Sequence, residues 1–205
     1  MRSSIKFKII RGIECVMLAM FFGFVPILFC LIATVIIASI LSGTETLGTW
    51  ALLSFVPAIV FDTALMKKWI NGAYQMSGVT LSILYVFYSI ITLGMFMGLP
   101  VGCFTLGIAA GLYAARKVKL AQAEEQTQKR YFKKTAVFSA SVMVFMCCLI
   151  TLWAIAGQMI GYKIDSFTIT APIFWVIVLT GGTIAVILQY LVTLGAAKMM
   201  LKLLS

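Results

Sequence analysis

An all-α bundle of six membrane-spanning helices, with both termini in the cytoplasm, is the expectation raised by this 205-residue chain. Three observations carry it. Mean hydropathy is +1.10, and charged residues make up only 11% of the chain, too few to coat a soluble core of this size. The apolar residues come in runs near the roughly 20 that a helix needs to cross hydrocarbon. Fifteen of the sixteen lysines and arginines fall in alternate segments between those runs. Helix is expected because backbone groups in lipid must be satisfied within each segment, and the short alternating strands of a barrel are not evident.

The first span runs from about Ile13 to Leu41, with Pro26 near its middle. As ideal helix it would reach roughly 44 Å, against about 30 Å of hydrocarbon, so it must tilt, kink at Pro26 or protrude. The second covers about 50–66, with Pro57 inside, and the third about 78–97. The fourth is short, about 101–115, and the fifth and sixth cover about 135–156 and 171–194. A single helix from Gly78 to Ala115 would be roughly 57 Å long, too long for one crossing. A turn at Gly98-Leu99-Pro100-Val101-Gly102 therefore separates spans three and four.

The charges orient these spans. Arg2, Lys6, Lys8 and Arg11 precede the first, and Lys67 and Lys68 follow the second. Arg116, Lys117, Lys119, Lys129, Arg130, Lys133 and Lys134 lie between the fourth and fifth, and Lys198 and Lys202 follow the sixth. Only Lys163 falls on the other side. Basic residues favour the cytoplasmic face. The net charge of +10 is thus a topology signal and an attraction to anionic lipid head groups, not a nucleic-acid surface. The first span reads as an uncleaved helix, since its apolar run is too long for a signal peptide. The chain is expected to be one transmembrane domain, 1–205, with no soluble domain. Its compact loops point to the plasma membrane of a bacterium or archaeon.

The loop 116–134 is the one sizeable polar region. It holds no Gly or Pro, its composition favours helix, and Glu125 and Lys129 form a supportive i, i+4 pair. Spans four and five are expected to continue as helices into the cytoplasm and turn near Ala123 to Thr127. The loop is a solvated connector or a docking site for a cytoplasmic partner such as an ATPase subunit. Trp50, Trp69, Tyr131 and Tyr162 read as interfacial belt anchors.

Several chemistries are absent. The chain has no histidine, which removes histidine-based catalysis and most zinc sites. It has no Walker A motif and no CxxC pair. Its five cysteines fall within spans, where Cys acts as a small apolar residue. No enzyme, metal or cofactor is expected. Asp62 lies inside the inner end of the second span, and a charge at that depth is a functional hypothesis by default. Its structural alternative is a pair with Lys67, Lys68 or an N-terminal cation. Glu14, in the first turn of its helix and close to Arg11, reads as structural.

Thr180, Gly181, Gly182 and Thr183 sit near the middle of span six. An unwound helix centre there, with Gln189 nearby in depth, would form a substrate-binding cavity; close helix packing is the alternative. Gly94 and Gly98, and Gly107 and Gly111, recur at a spacing that lets helices approach. Gly107 and Gly111 are expected to pack spans three and four together, with a homo-oligomer interface as the alternative. Together these features point to a transporter or permease subunit moving a small solute. The competing reading is a non-transporting subunit of a larger complex, with an assembly, anchoring or immunity role, supported by the scarcity of charge within the spans.

Overall fold

The computed structural model describes residues 72–95, 101–157 and 170–204 continuously, together with 163–164, 167–168 and positions 12, 18, 30, 32–34, 36, 37, 40, 56, 59 and 60. Glu14, Pro26, Pro57, Asp62 and Gly98 lie outside the described residues. The chain divides into two compact units, Met1–Met76 and Ser77–Ser205. In the first, a one-turn 3-10 helix spans Ala73–Gln75, and the Thr34 hydroxyl donates to the Cys30 carbonyl at 2.7 Å.

The second unit is helical. It comprises α1 (Gly78–Met95), α2 (Val101–Leu120), α3 (Glu125–Ala156) and α4 (Ala171–Leu204). Between α3 and α4 lie two strands of two residues, β1 (Lys163–Ile164) and β2 (Phe167–Thr168), paired antiparallel with Lys163 opposite Thr168. Helices α3 and α4 are long and apolar enough to cross a membrane. At 32 and 34 residues they would reach roughly 48 and 51 Å, which carries both well past the apolar stretches into the basic segments.

Close contacts fix the helix directions. Gly102 and Cys103 on α2 meet Thr92 and Ser89 on α1, so these two run antiparallel. Gly107 and Gly111 on α2 meet Gln189 and then Thr193 to Ala197 on α4. Numbering rises together along both, so α2 and α4 are parallel. Helix α3 returns beside α2 through a four-residue turn. The C-termini of α2 and α4 and the N-terminus of α3 therefore share one end of the bundle. That end gathers Arg116, Lys117, Lys119, Lys129, Arg130, Lys133, Lys134, Lys198 and Lys202, while Lys163 lies on the connection at the opposite end.

A few polar side chains are buried within a mainly apolar core, while large apolar side chains face outward. Ser89, Ser139, Gln189 and Thr193 are fully buried, while Leu152, Trp153, Val176, Leu179 and Leu191 are more than half exposed. Only 22% and 11% of the most apolar stretches of α3 and α4 are buried. A core helix of a soluble protein would have those stretches mostly covered.

The turn between α2 and α3 falls at 121–124, a few residues before the expected place. Its hydrogen bonds explain why. The Ala123 amide donates to the Val118 carbonyl at 3.3 Å and the Gln122 amide to the Lys119 carbonyl at 3.1 Å. This is the Schellman pattern, which needs a left-handed residue at its pivot, and Gln122 has φ of 48°. The Gln128 side-chain amide adds a bond to the Ala123 carbonyl at 2.7 Å. The Glu125–Lys129 pair forms at 2.7 Å with both side chains exposed. The hydrogen bond and the charge of Lys129 hold the Glu125 carboxyl below its ordinary value. That support is present above the usual carboxylate pKa and is lost as pH falls through the lowered one; being exposed, it is weak.

Gln122 bears a strain that glycine would not. Gln122→Gly should therefore raise the thermal midpoint in detergent by the equivalent of about 0.5–1 kcal/mol, the roughly 1–2 kcal/mol left-handed cost less glycine's larger loss of chain freedom. A lowered midpoint would show that the pivot is not left-handed.

Candidate functional site

The centre of the second unit is a hydrogen-bonded cluster contributed by all four helices. Gln189 projects from α4 with its amide nitrogen 2.9 Å from the Cys103 carbonyl of α2, 2.6 Å from Ser139 Oγ of α3 and 2.9 Å from Tyr85 Oη of α1. Ser139 Oγ is also 2.6 Å from Tyr85 Oη and 3.2 Å from Thr193 Oγ1. The Thr193 hydroxyl lies 2.9 Å from the Gln189 carbonyl one turn back.

Proton counting orders these contacts. The Cys103 carbonyl can only accept, so it takes one amide proton of Gln189 and fixes the orientation of that amide. The second proton goes to Ser139 Oγ, the nearer oxygen. The Thr193 hydroxyl donates to the Gln189 main-chain carbonyl at 2.9 Å, with Ser139 Oγ as a longer second acceptor at 3.2 Å. Tyr85 Oη and Ser139 Oγ share a further hydrogen bond at 2.6 Å, in which either hydroxyl can donate. Among the cluster's side-chain polar atoms only Gln189 Oε1 lacks a hydrogen-bond partner.

Helix approach makes the cluster possible. A methyl group at Gly107 would fall on the Gln189 amide nitrogen and lie 2.8 Å from Thr193 Oγ1. One at Gly111 would fall on the Thr193 carbonyl and lie 3.0 Å from the Ala197 nitrogen. These glycines thus close α2 onto α4, the sixth expected span, and not onto α1, the third. It is Gly102 that faces α1, against the Thr92 side chain. Around the cluster, Tyr85 packs on Phe138 with ring centres 5.6 Å apart, and Met143 and Met146 are fully buried.

The other expected site residues lie elsewhere. α4 is unbroken through Thr180, Gly181, Gly182 and Thr183, so the expected unwinding is replaced by continuous helix. Thr180 donates its hydroxyl back to the Val176 carbonyl at 2.6 Å, a local bond that helps an exposed hydroxyl tolerate apolar surroundings. No atom lies within 4 Å of a methyl placed at Gly181, and one at Gly182 would meet only Cys147 at 4.0 Å. Gly94 likewise faces open space. Asp62 and Gly98 fall outside the described residues. Gln189 alone of the proposed binding residues enters the buried cluster. Tyr85, Cys103, Ser139 and Thr193 were not singled out by the sequence reading. Their signal was weak, being hydroxyls on apolar helices beside small residues: Ala136 before Ser139, and Ala196-Ala197 after Thr193. Among the described residues no group of three His, Cys, Asp or Glu side chains gathers to hold a metal ion, and Cys30, Cys103, Cys147 and Cys148 are free thiols.

Two sets of substitutions check this geometry by thermal unfolding in detergent. Gly107→Ala and Gly111→Ala should each cost about 1–3 kcal/mol by overpacking, whereas Gly181→Ala should stabilise by about 0.5–1 kcal/mol. Gln189→Ala, itself costing about 1–2 kcal/mol, should recover part of the Gly107→Ala loss. It should recover none of the Gly111→Ala loss, because that clash is with main chain. Equal recovery in both would disprove the assigned contacts.

Comparison with family models, with curated proteins and with solved structures returned no match.

Proposed function

We propose that this chain is a six-span protein of the plasma membrane of a bacterium or archaeon, with both termini cytoplasmic, and that it works as a non-transporting subunit of a larger membrane complex. The buried Gln189 cluster carries this reading. Its hydrogen bonds are spent between helices, and its residues are closed off from the molecular surface. The continuous α4 helix through Thr180 to Thr183 adds support, because it offers no free main-chain groups to a solute. The membrane setting is supported by the exposed apolar faces of α3 and α4 and by the basic end of the bundle, which matches the cytoplasmic preference of Lys and Arg. A role in assembly or anchoring suits a protein whose described bundle is held rigid by a polar centre.

One observation favours a solute-moving alternative. Gln189 Oε1 has no hydrogen-bond donor, and a buried acceptor at mid-helix depth is what a polar solute on a transport path would meet.

Thiol labelling separates the two. With Cys15, Cys30, Cys147 and Cys148 replaced by Ala, the buried Cys103 should resist a charged, water-soluble thiol reagent, as should Thr183→Cys. Reaction at Cys103 would reveal a water path to the cluster and favour transport. For the topology, Ser166→Cys should label in intact cells and Gln126→Cys only after permeabilisation; the reverse pattern would overturn the orientation.

A further inference from the structure

The outward face of α3 carries a feature that the polar cluster does not use. Thr127, Arg130, Tyr131, Lys133, Lys134 and Val137 line a shallow, open depression. At 100° per residue these positions fall on one side of the helix. They lie opposite the packed side that carries Phe132, Ala136, Ser139 and Met143. Arg130, Lys133 and Lys134 are exposed, and among the described residues no carboxylate pairs with them. The nearest acid along the helix, Glu125, is held by Lys129.

The same face changes character along its length. Beyond Val137 it continues through exposed Val144, Phe145, Leu152 and Ile155. From Val137 to Ile155 the rise is roughly 27 Å, close to the depth of a bilayer's hydrocarbon. Cations and hydroxyls at one end, followed by an apolar strip more than one leaflet deep, match the chemistry of a phospholipid, whose acyl chains fill about half of the hydrocarbon, roughly 15 Å. An acidic peptide would use the cations but leave the strip uncovered.

We infer that the Thr127–Val137 face of α3 seats the head group of an anionic phospholipid, whose acyl chain lies along Val144 and Phe145. Arg130 and Lys134, one turn apart, flank the phosphate. The Arg130 fork supplies paired donors, with Lys133 and the Thr127 and Tyr131 hydroxyls completing the rim. This seat rests on the membrane reading above, since it needs a bilayer to supply its occupant.

Native mass spectrometry of the full chain, released from detergent with added lipid, tests it. The probes are phosphatidylglycerol and phosphatidylcholine of matched chains. Wild type should hold phosphatidylglycerol more tightly. Arg130→Gln/Lys134→Gln should weaken that binding roughly thirtyfold, at roughly a factor of five for each cation near the lipid surface. Lys119→Gln/Lys198→Gln, an equal charge loss on other helices of the same end, should change it far less. Because the four residues are exposed, both variants should keep wild-type helicity by circular dichroism. Equal losses in the two variants would replace the seat with diffuse charge and overturn the proposal. So would equal binding of the two lipids, or displacement by excess inorganic phosphate. Recovery of the protein in the soluble rather than the membrane fraction would instead refute the membrane reading itself.

Discussion

The contact between α2 and α4 governs the rest of the second unit. Two parallel helices can come this close only where one presents no side chain, and Gly107 and Gly111 supply that gap. Through it the Gln189 amide reaches the main-chain carbonyl of Cys103. That carbonyl can only accept, so it fixes which way the amide faces. Tyr85 and Ser139 then tie α1 and α3 to the same point. The bundle is positioned by one amide and two missing methyl groups more than by large side chains interlocking.

This arrangement inverts the usual soluble plan. Large aliphatic and aromatic groups face outward along α3 and α4, while Ser139, Gln189 and Thr193 are buried at the centre among apolar side chains such as Met143 and Met146. Where the surroundings are as apolar as the helix surface, hydrophobic burial gives little preference for helix–helix contact. Close main-chain approach and interhelical hydrogen bonds must supply it instead, each at about 0.6 kcal/mol on average and at most about 1.7. A cluster in which one hydroxyl serves three partners concentrates several such bonds in one place and makes them mutually dependent.

Much of this was legible in the sequence. Described helices cover the four apolar runs from residue 78 onward, and of these α3 and α4 are long and apolar enough to cross a membrane, because long apolar runs and helix-favouring connectors state their periods plainly. The extension of α2 and α3 into the basic segment was readable from Arg116 to Lys134 having neither Gly nor Pro. The pivot at Gln122 was not, since glutamine carries no bias toward a left-handed turn and the Schellman bonds alone place it there. The short β1–β2 ladder was missed because two residues per strand give no alternation to detect. For the central cluster, Gln189 was conspicuous as an amide in an apolar run. Its partners were hidden, because a Ser or Tyr on a helix does not announce which neighbour it will face, and that depends on helix rotation. The glycine spacing predicted close approach correctly but not its partner: a four-residue repeat on α2 is equally compatible with α1 or α4.

The cluster also sets a timetable. Ser139 and its donor on α4, the Gln189 amide, are 50 residues apart in the chain, so at about 5–20 residues per second of synthesis roughly 3–10 s pass between them. During that interval α1, α2 and α3 exist with Tyr85, Ser139 and the groove at Gly107 facing no amide. The nascent protein must hold a polar cleft open until α4 arrives, or shield it with a temporary partner. A chain halted before Gln189 would carry that cleft permanently, a ready mark by which quality control could distinguish an unfinished molecule from a finished one.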